Sequence, residues 1–318
     1  MTAPPGWDRE TSPYHSGEQE LQARLNRRQR QEDLGRRLHR PYLLEQHRSF
    51  FAQLPFVAAG SVDDHGWPWA SFLFGNPGFV SSPDDRTLVI ESEPVVGDPL
   101  ASNLAERRPL GLLGIELSTR RRNRANGVIR EHGARRIVVE VVQSYGNCPQ
   151  YIQTRDLAPI GPGPGLVRSF RVMDGALVEV IRRADTFFVA SYNDREDIRD
   201  TGGVDLSHRG GRPGFVKIEG RTLTVPDFPG NNAFNTLGNF LVTPRAGLLF
   251  ADFDSGDLWQ LTGRVELQWE PESAARAFAG AERSWRFHLD HGRHLPGASP
   301  LRGPLLEMSP RTLKTGTW

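Results

Sequence analysis

The chain has 318 residues, with 39 lysines and arginines against 38 aspartates and glutamates, so its formal net charge is +1. A charge this close to zero argues against a dedicated nucleic-acid-binding protein, which usually has a clearly basic domain. No stretch approaches the roughly 20 apolar residues of a membrane span, and the N-terminal residues lack the apolar core of a signal peptide. We therefore expect a cytoplasmic protein that binds neither nucleic acid nor membrane.

Length and cysteine content narrow the class of protein further. A chain near 300 residues predicts two domains of about 150 residues each. Cys148 is the one cysteine of the chain, so an internal disulfide and a cysteine-based metal cluster are excluded, which fits a reducing compartment. The high content of glycine, 33 residues, and of proline, 24 residues, favours a turn-rich, largely β architecture.

The first part of the chain predicts an extended arm and two helices. Residues 1–17 are rich in proline, glycine and polar side chains and show no alternation. From Glu18 to Arg40, sparse leucines among many arginines have the spacing of an amphipathic helix with a charged outer face. Leu43–Leu54 predicts a second, shorter helix.

Beyond Pro55, short apolar runs separated by Gly, Pro, Asp and Asn have the spacing of a β-barrel or sandwich. The segment Pro159–Gly165 is the best candidate for a linker, because its prolines and glycines oppose both helix and strand pairing. The predicted strands are Phe56–Val62, Trp69–Phe74, Thr87–Glu91, Leu110–Leu117, Asn126–Arg130, Arg136–Ser144, Phe187–Tyr192, Gly214–Ile218, Leu223–Val225, Ala246–Phe253 and Leu258–Val265.

Short sequence matches recur in the same order on both sides of this linker, which indicates two copies of one β-rich unit. In this alignment Trp67 of the first copy occupies the place of Arg212 in the second. The six matches are Phe56-Val-Ala-Ala with Phe188-Val-Ala-Ser, Gly66-Trp-Pro with Gly211-Arg-Pro, Arg86-Thr-Leu-Val-Ile with Arg221-Thr-Leu-Thr-Val, Asn103-Leu with Asn239-Phe, Gly111-Leu-Leu with Gly247-Leu-Leu, and Gly127-Val with Gly263-Arg-Val.

The motifs of the second copy are Gly211–Lys217, Leu223–Asp227, Gly230–Asn239, Pro244–Phe250 and Leu261–Val265. In this order they resemble the pyridoxamine 5'-phosphate oxidase-like, FMN-binding split-barrel superfamily, and with the first copy the likeness covers residues 56–267. The segment Tyr14–Glu18 looks like the opening of a bacterial subgroup of flavin-nucleotide-binding proteins within that superfamily. The resemblance implies a mainly β fold of two tandem split barrels plus N-terminal helices, with FMN in a groove between the barrels.

Combined with the repeat, this resemblance gives a domain plan. An N-terminal arm and helices occupy residues 1–54, and a degenerate first split barrel occupies 55–158. A linker covers 159–183, and the second split barrel, with the FMN phosphate site and a C-terminal helix or tail, covers 184–318. Members of the superfamily usually pair as homodimers, so this chain is expected to be a monomeric pseudo-dimer or a homodimer.

A flavin mononucleotide requires a phosphate site, which proteins build from Arg, Lys and donors near a helix N-terminus. In the superfamily a strand Arg and Lys contact the phosphate and the ring edge, which maps onto Arg212 and Lys217. Lys217 near flavin N1 would stabilise the anionic reduced ring. Asn235 and Thr236 stand where the superfamily has an Arg–Lys pair, so two positive charges are replaced by neutral donors.

Basic residues of the first copy are one candidate source of the missing charge. The run Arg120–Asn126 is the most charged in the chain, and face-to-face pairing of the barrels would bring it to the shared groove. The stretch Gln143–Tyr151 carries amides and aromatic rings that suit hydrogen bonding to a flavin edge. The predicted cofactor-binding residues are Arg212, Pro213, Phe215, Val216, Lys217, Asp227, Asn231, Asn232, Asn235, Thr236, Asn239, Arg122, Asn123, Asn126, Gln143, Asn147 and Gln150.

The function that this pattern favours is flavin-dependent oxidoreduction with one FMN per chain, the first copy having lost its own phosphate site. Substrate, electron acceptor and catalytic side chains are not specified by the sequence. No metal site is expected, because the spacing of His288, His291 and His294 has no matching acidic partners. Two alternatives remain open: a non-catalytic flavin carrier or sensor, and a haem-handling split barrel.

Overall fold

The computed structural model describes residues 5–163, 165–230, 232–269 and 278–318. This part of the chain is mainly β, with two large antiparallel sheets and short helices before each of them. The predicted fold class, two tandem split β-barrels preceded by N-terminal helices, is confirmed. None of the helices in the described ranges has the length and apolar character that crossing a membrane requires.

The helix predicted over residues 18–40 is broken in two, because Asn26 takes a left-handed conformation with φ of 53°. The second predicted helix is shorter than expected at both ends. The helices are α1 Ser16–Arg24, α2 Arg28–Leu38, α3 Glu45–Ala52, α4 Leu100–Asn103, α5 Gly175–Arg183 and α6 Asn235–Val242, with a 3-10 turn at Thr312–Lys314.

The strands fall into two sets of seven with short strands between and after them. The first barrel contains β1 Phe56–Val62, β2 Pro68–Phe74, β3 Val80–Ser81, β4 Thr87–Ile90, β5 Pro109–Glu116, β6 Arg121–Gly133 and β7 Arg136–Gly146. Between the barrels lie β8 Thr154–Arg155, β9 Ala158–Pro159 and β10 Arg168–Phe170. The second barrel contains β11 Thr186–Asn193, β12 Gly203–Gly210, β13 Lys217–Glu219, β14 Thr222–Asp227, β15 Arg245–Ala251, β16 Leu258–Gln268 and β17 Arg283–Leu295, and β18 Leu301–Arg302 and β19 Leu305–Glu307 follow it.

The two barrels have the same topology. The first sheet has the order β2-β1-β5-β6-β7-β4-β3, and the second has the order β12-β11-β15-β16-β17-β14-β13, which is the same path strand for strand. Even the irregularities correspond, since the β6–β7 ladder shifts register between Asn126 and Gly127 and the β16–β17 ladder between Thr262 and Gly263. The predicted internal duplication is therefore present in the structure.

The strand register corrects part of the sequence alignment. Gly75-Asn-Pro-Gly-Phe-Val follows β2, and Gly211-Arg-Pro-Gly-Phe-Val follows the corresponding β12. Each first glycine packs on the phenylalanine of its own motif, so that an added Cβ would lie 2.3 Å from the Phe79 ring or 2.2 Å from the Phe215 ring. The counterpart of Arg212 is therefore Asn76, and the placement of Trp67 there is wrong.

A second match of the sequence alignment, Phe56 with Phe188, is wrong by two residues. Ala58 pairs with Leu113 as Phe188 pairs with Leu249, so Phe188 corresponds to Ala58 and not to Phe56. A shift of two leaves every side chain on the same face of the strand, so the inside-outside pattern could not reveal it.

Among the described strands longer than three residues, two were not predicted from the sequence. One is β12, and the other is β17, which lies where a C-terminal helix or tail was expected. In the second half of β17 glycine and histidines sit at buried and half-buried positions, so the alternation of apolar and polar residues is weak in the sequence. The predicted strand Gly214–Ile218 is mostly a turn, with only Lys217–Glu219 in the sheet.

Hydrogen bonds across the inter-barrel interface repeat with local two-fold symmetry. Arg124 Nη2 of β6 donates to the Leu206 carbonyl of β12 at 2.8 Å and to Ser207 Oγ. Its counterpart in β16, Gln260, donates through Nε2 to the Ala70 carbonyl and Ser71 Oγ of β2, both at 3.0 Å. Arg124 also pairs with Asp205 at 2.8 Å, and both residues are buried. The ion pair thus occurs on only one side of the pseudo-symmetric interface.

We predict that Arg124→Ala destabilises the chain by about 3–5 kcal/mol, because it leaves the Asp205 carboxylate buried without its cation. Gln260→Ala removes the corresponding neutral bonds and should cost about 1–3 kcal/mol. Urea unfolding followed by tryptophan fluorescence measures both. Equal losses for the two variants would contradict an interface that depends on the ion pair.

Candidate functional site

A cleft of about 280 Å³ lies between the barrels. One wall is the end of β7 and the residues after it, with Arg122 and Arg124 from β6. The opposite wall is the end of β12 and the segment 226–230 after β14. Helix α2 and the residues Tyr14 and His39 cover it. The volume is close to the lower end, about 300 Å³, of typical small-molecule sites.

Three guanidinium groups line this cleft. Arg122 and Arg124 are two residues apart on β6 and therefore share a face of the sheet, and Arg209 reaches the cleft from β12. Burial, together with the charges of Arg124 and Arg209, lowers the pKa of Arg122 to about 10. Burial and the Arg124 charge also lower the pKa of Arg209. The three guanidinium groups thus concentrate cationic side chains around one cleft.

Carboxylates nearby balance only part of this charge. Asp205 pairs with Arg124 at 2.8 Å, and Asp227, which also lines the cleft, pairs with Arg283 at 2.9 Å and lies 4.0 Å from Arg209. Among the described residues no carboxylate forms an ion pair with Arg122, whose Nε donates to the Cys148 carbonyl at 2.7 Å. The cleft therefore has the electrostatic character of an anion site.

Several polar atoms of the lining residues are buried and lack a protein partner. His208 Nε2, Arg209 Nε, His39 Nδ1 and Asn147 Oδ1 have no hydrogen bond within the described part of the chain. Buried polar atoms are nearly always satisfied in native proteins. With Arg124 Nε, these atoms leave donors and acceptors around one cleft with which a polar ligand can form hydrogen bonds.

Aromatic side chains form two faces of the cleft. The His39 ring stacks on Tyr145 at 4.0 Å with an interplanar angle of 2°, and Tyr151 stacks on Phe228 at 5.1 Å. Burial and the neighbouring Arg124 lower the pKa of His39 to about 3, and burial with Arg122 and Arg209 lowers the pKa of His208 well below its usual value. Both histidines are therefore neutral near pH 7, and planar surfaces adjoin the cationic cluster.

The structure brings some of the predicted binding residues together and not others. Those that line the cleft are Arg122, Asn147, Gln150, Phe215, Asp227, Asn232 and Asn235. Those that do not line it are Arg212, Pro213, Val216, Lys217, Asn123, Asn126, Gln143, Thr236 and Asn239. Asn231 lies outside the described residues.

The two cations expected to hold the phosphate are outside the cleft lining. Arg212 is exposed on the turn after β12. Lys217 pairs with Glu219 at 2.9 Å, and its Nζ lies 5.4 Å from the centre of the Trp318 ring. The role near flavin N1 that the resemblance implied for Lys217 has no support from this placement.

Other predicted residues hold the interface. Asn126 and Asn239 donate to the two oxygens of Asp205, at 2.6 and 2.9 Å. Gln143 donates to the Pro13 carbonyl of the N-terminal arm at 2.9 Å. These amides position the barrels and the arm around the cleft.

Arg124 was expected at the groove only as part of the Arg120–Asn126 run, and Arg209, His208 and the covering residues Tyr14 and His39 were not among the predicted binding residues. The repeated Gly-x-Pro-Gly-Phe-Val motif would have revealed β12 as the partner of β2, and with it His208 and Arg209. No comparable signal indicates that α2 covers the cleft. It is held there by close packing, since a Cβ on Gly35 would lie 2.5 Å from the Tyr14 ring.

No protein-family model and no curated protein matches the chain. Among solved structures, HupZ of Group A Streptococcus is 14% identical, with 40% of this chain and 98% of that chain covered and a TM-score of 0.30. An FAD-binding protein from Mesorhizobium loti is 12% identical, covering 41% and 99%, with a TM-score of 0.27. A candidate pyridoxamine 5'-phosphate oxidase from Lactobacillus delbrueckii is 9% identical, covering 39% and 98%, with a TM-score of 0.30. These likenesses are too weak to identify a ligand for the cleft.

The burial of neutral His39 predicts how the free energy of unfolding depends on pH. Between pH 6.5 and about 3 His39 is protonated in the unfolded chain but neutral in the native chain. Unfolding therefore takes up a proton in this range, and the free energy of unfolding falls as the pH is lowered. We expect the free energy of unfolding to drop by about 2 kcal/mol more from pH 7 to 5 in the wild type than in His39→Phe. Urea titrations at both pH values test this, with the exposed His132→Phe as a control. Parallel pH dependence of the wild type and His39→Phe would refute it.

Proposed function

We propose that the inter-barrel cleft binds flavin mononucleotide and that the protein is an FMN-dependent oxidoreductase. The observation that carries the proposal is the concentration of Arg122, Arg124 and Arg209 around one cleft whose nearby carboxylates are already paired. A phosphate supplies the missing negative charge, and guanidinium groups bind phosphate oxygens in a fixed fork geometry.

The aromatic faces support a planar ring beside this phosphate. The stacked pairs His39–Tyr145 and Tyr151–Phe228 both contribute lining residues, and the half-buried Tyr151–Phe228 pair is the one against which an isoalloxazine ring would lie. Unpartnered atoms of Asn147 and His208 are available for its polar edge. Phosphate charge and ring stacking together fit a flavin nucleotide better than a simple inorganic anion.

The chemistry of hydride transfer belongs to the flavin when it is bound, and the protein contributes binding, orientation and electrostatics. In this proposal the cleft arginines, and not Lys217, would supply the positive charge next to the bound flavin nucleotide. The α2 cover excludes water from one side of the cleft. No side chain is assigned as an acid or base, and substrate and electron acceptor are not specified by these residues.

Haem is the second candidate ligand, favoured by one observation. His208 is buried, its Nε2 has no partner within the described ranges, and its depressed pKa keeps the imidazole neutral, as an iron ligand must be. The visible spectrum of the purified protein distinguishes the two, because flavin absorbs near 370 and 450 nm whereas haem gives a Soret band, wavelengths that are approximate properties of the cofactors.

We predict that Arg209→Ala weakens FMN binding about 10- to 100-fold, which corresponds to the loss of one or more hydrogen bonds to a charged group. Arg212→Ala serves as the matched control, because Arg212 is exposed and outside the cleft lining. Quenching of flavin fluorescence on titration gives both dissociation constants. A greater loss of FMN affinity in Arg212→Ala than in Arg209→Ala would contradict the cleft assignment and place the phosphate site at the turn after β12. Arg122→Gln repeats the test at the cleft arginine that has no carboxylate partner among the described residues.

Cys148 offers an independent measurement, since it is exposed, lines the cleft and is the chain's one cysteine. We expect saturating FMN to slow its alkylation by N-ethylmaleimide several-fold by occupying the adjacent cleft. Riboflavin, which carries the same ring without the phosphate, should protect only at higher concentration. An alkylation rate that FMN does not change would argue against binding in this cleft.

A further inference from the structure

Cys148 lies at the cationic cleft in a position that hydrogen bonds fix. It is exposed, it lines the cleft, and it is the chain's one cysteine. Arg122 of β6 holds this segment twice, because its Nε donates to the Cys148 carbonyl at 2.7 Å and its own carbonyl accepts the Asn147 amide at 3.1 Å. The backbone at Cys148 is therefore anchored to the strand that carries Arg122.

The surroundings of this cysteine are positively charged. Burial lowers the pKa of Arg122 to about 10, and negative charge on Cys148 is the cause that opposes this shift. The two side chains are thus close enough for their charges to interact. Arg124 and Arg209 add their guanidinium groups to the same cleft. Solvent-accessible cysteines in electropositive surroundings are the ones that react with disulfides, whereas structural buried cysteines are inert.

A second observation indicates an anionic group inside the cleft. Arg124 Nε and Arg209 Nε have no hydrogen-bond partner within the described ranges, and Arg124 is only 2% exposed. A guanidinium nitrogen can only donate, so the partner that it lacks is an acceptor such as a carboxylate oxygen. His208, 3% exposed, presents a further unpartnered atom, Nε2. Because these residues and Cys148 line one cleft, a small molecule can place its acidic groups among the arginines while another part of it reaches the thiol.

We propose that Cys148 is a site of reversible thiol modification and that the cleft selects small disulfides that carry carboxylates. In the reaction the Cys148 thiolate attacks one sulfur of the disulfide. The S–S bond of the disulfide breaks as the bond to Cys148 Sγ forms, and the other half leaves as a thiolate. One disulfide is exchanged for another, so no further oxidant is consumed, and an added thiol reverses the step by the same exchange.

The modification has a consequence for the cofactor. The attached group lies in the cleft that we propose for FMN, so modification and flavin binding exclude each other. This consequence rests on the proposed function, whereas the selectivity of Cys148 for anionic disulfides does not.

Three disulfides of different charge test the selectivity on the wild-type chain. Oxidised glutathione is anionic, hydroxyethyl disulfide is neutral and cystamine is cationic. Mass spectrometry of the intact protein gives the rate of each reaction, and the rates with free mercaptoethanol correct for the intrinsic reactivity of each reagent. We expect the corrected rate to be about 10-fold higher with oxidised glutathione than with hydroxyethyl disulfide, because a cationic cleft raises the local concentration of anions. Cystamine should be the slowest.

Arg122→Gln removes the guanidinium group next to Cys148 and keeps a side-chain amide. We expect it to lower the rate with oxidised glutathione several-fold and to leave the rate with hydroxyethyl disulfide unchanged. Arg212→Ala is the matched control, because Arg212 is exposed and outside the cleft lining. Raising the salt concentration with the wild-type chain tests the same point if Arg122→Gln does not fold, since salt screens the attraction of the anionic disulfide.

Equal corrected rates for the three disulfides, or a faster reaction with cystamine, would overturn the proposal. So would a preference for oxidised glutathione that neither salt nor Arg122→Gln reduces, because it would not arise from charge. Saturating FMN should slow the reaction of Cys148 with every disulfide. If the charge order is found and FMN has no effect, the proposed function fails and the modification site stands.

Discussion

The buried ion pair between Arg124 and Asp205 is the contact on which the arrangement of the two barrels depends. It joins β6 of the first barrel to β12 of the second, and Asp205 also accepts hydrogen bonds from Asn126 and Asn239. The strands approach closely enough for this because Gly111 faces them, where a Cβ would lie 2.4 Å from the Val204 carbonyl oxygen. A buried carboxylate must keep its three donors, one of them the Arg124 guanidinium, so it adds a directional constraint to the apolar cluster that spans both barrels.

The same contact also distinguishes the two sides of the duplicated structure, because only one side has the ion pair. Hydrogen bonds from Asn103 to Ser61 and from Asn239 to Ser191 are still equivalent, at 2.9 and 3.0 Å, so the scaffold of both copies is retained. The copies differ where the interface residue is Arg124 on one side and Gln260 on the other. The cleft on the Arg124 side is lined by three arginines and covered by α2, whereas linker residues 162, 163, 165 and 167 form part of a groove at the equivalent position. The two sides thus differ in side chains and in covering segments although their strands follow the same topology.

The sequence was sufficient for the parts of the fold that depend on local pattern and on repetition. Strand β1 was predicted over its full length, and the repeated motifs identified the duplication, because apolar alternation and turn residues are local properties. It was insufficient for β17, whose histidines and glycine interrupt the alternation. The binding site was harder to predict than the fold for another reason. The Arg120–Asn126 run was expected at the groove, but Arg209 on the opposite wall lies on β12, a strand that only the correct alignment of the two copies reveals. Arg212 and Lys217 are residue types that suit a phosphate site, but the geometry of the turn after β12 directs them away from the cleft.

The N-terminal segment links the interface to the cleft through a second buried carboxyl group. Glu18 of α1 accepts the His15 amide at 2.9 Å and the Asn235 side chain, and it is completely enclosed. Burial, reinforced by the nearby Asp205 charge, raises the pKa of Glu18 well above its usual value and so favours its neutral form. The interface carboxylate Asp205 is paired with Arg124, and Asp227 lies 4.0 Å from Arg209. Arg122 has no carboxylate partner within the described residues, so its positive charge stays available to the cleft.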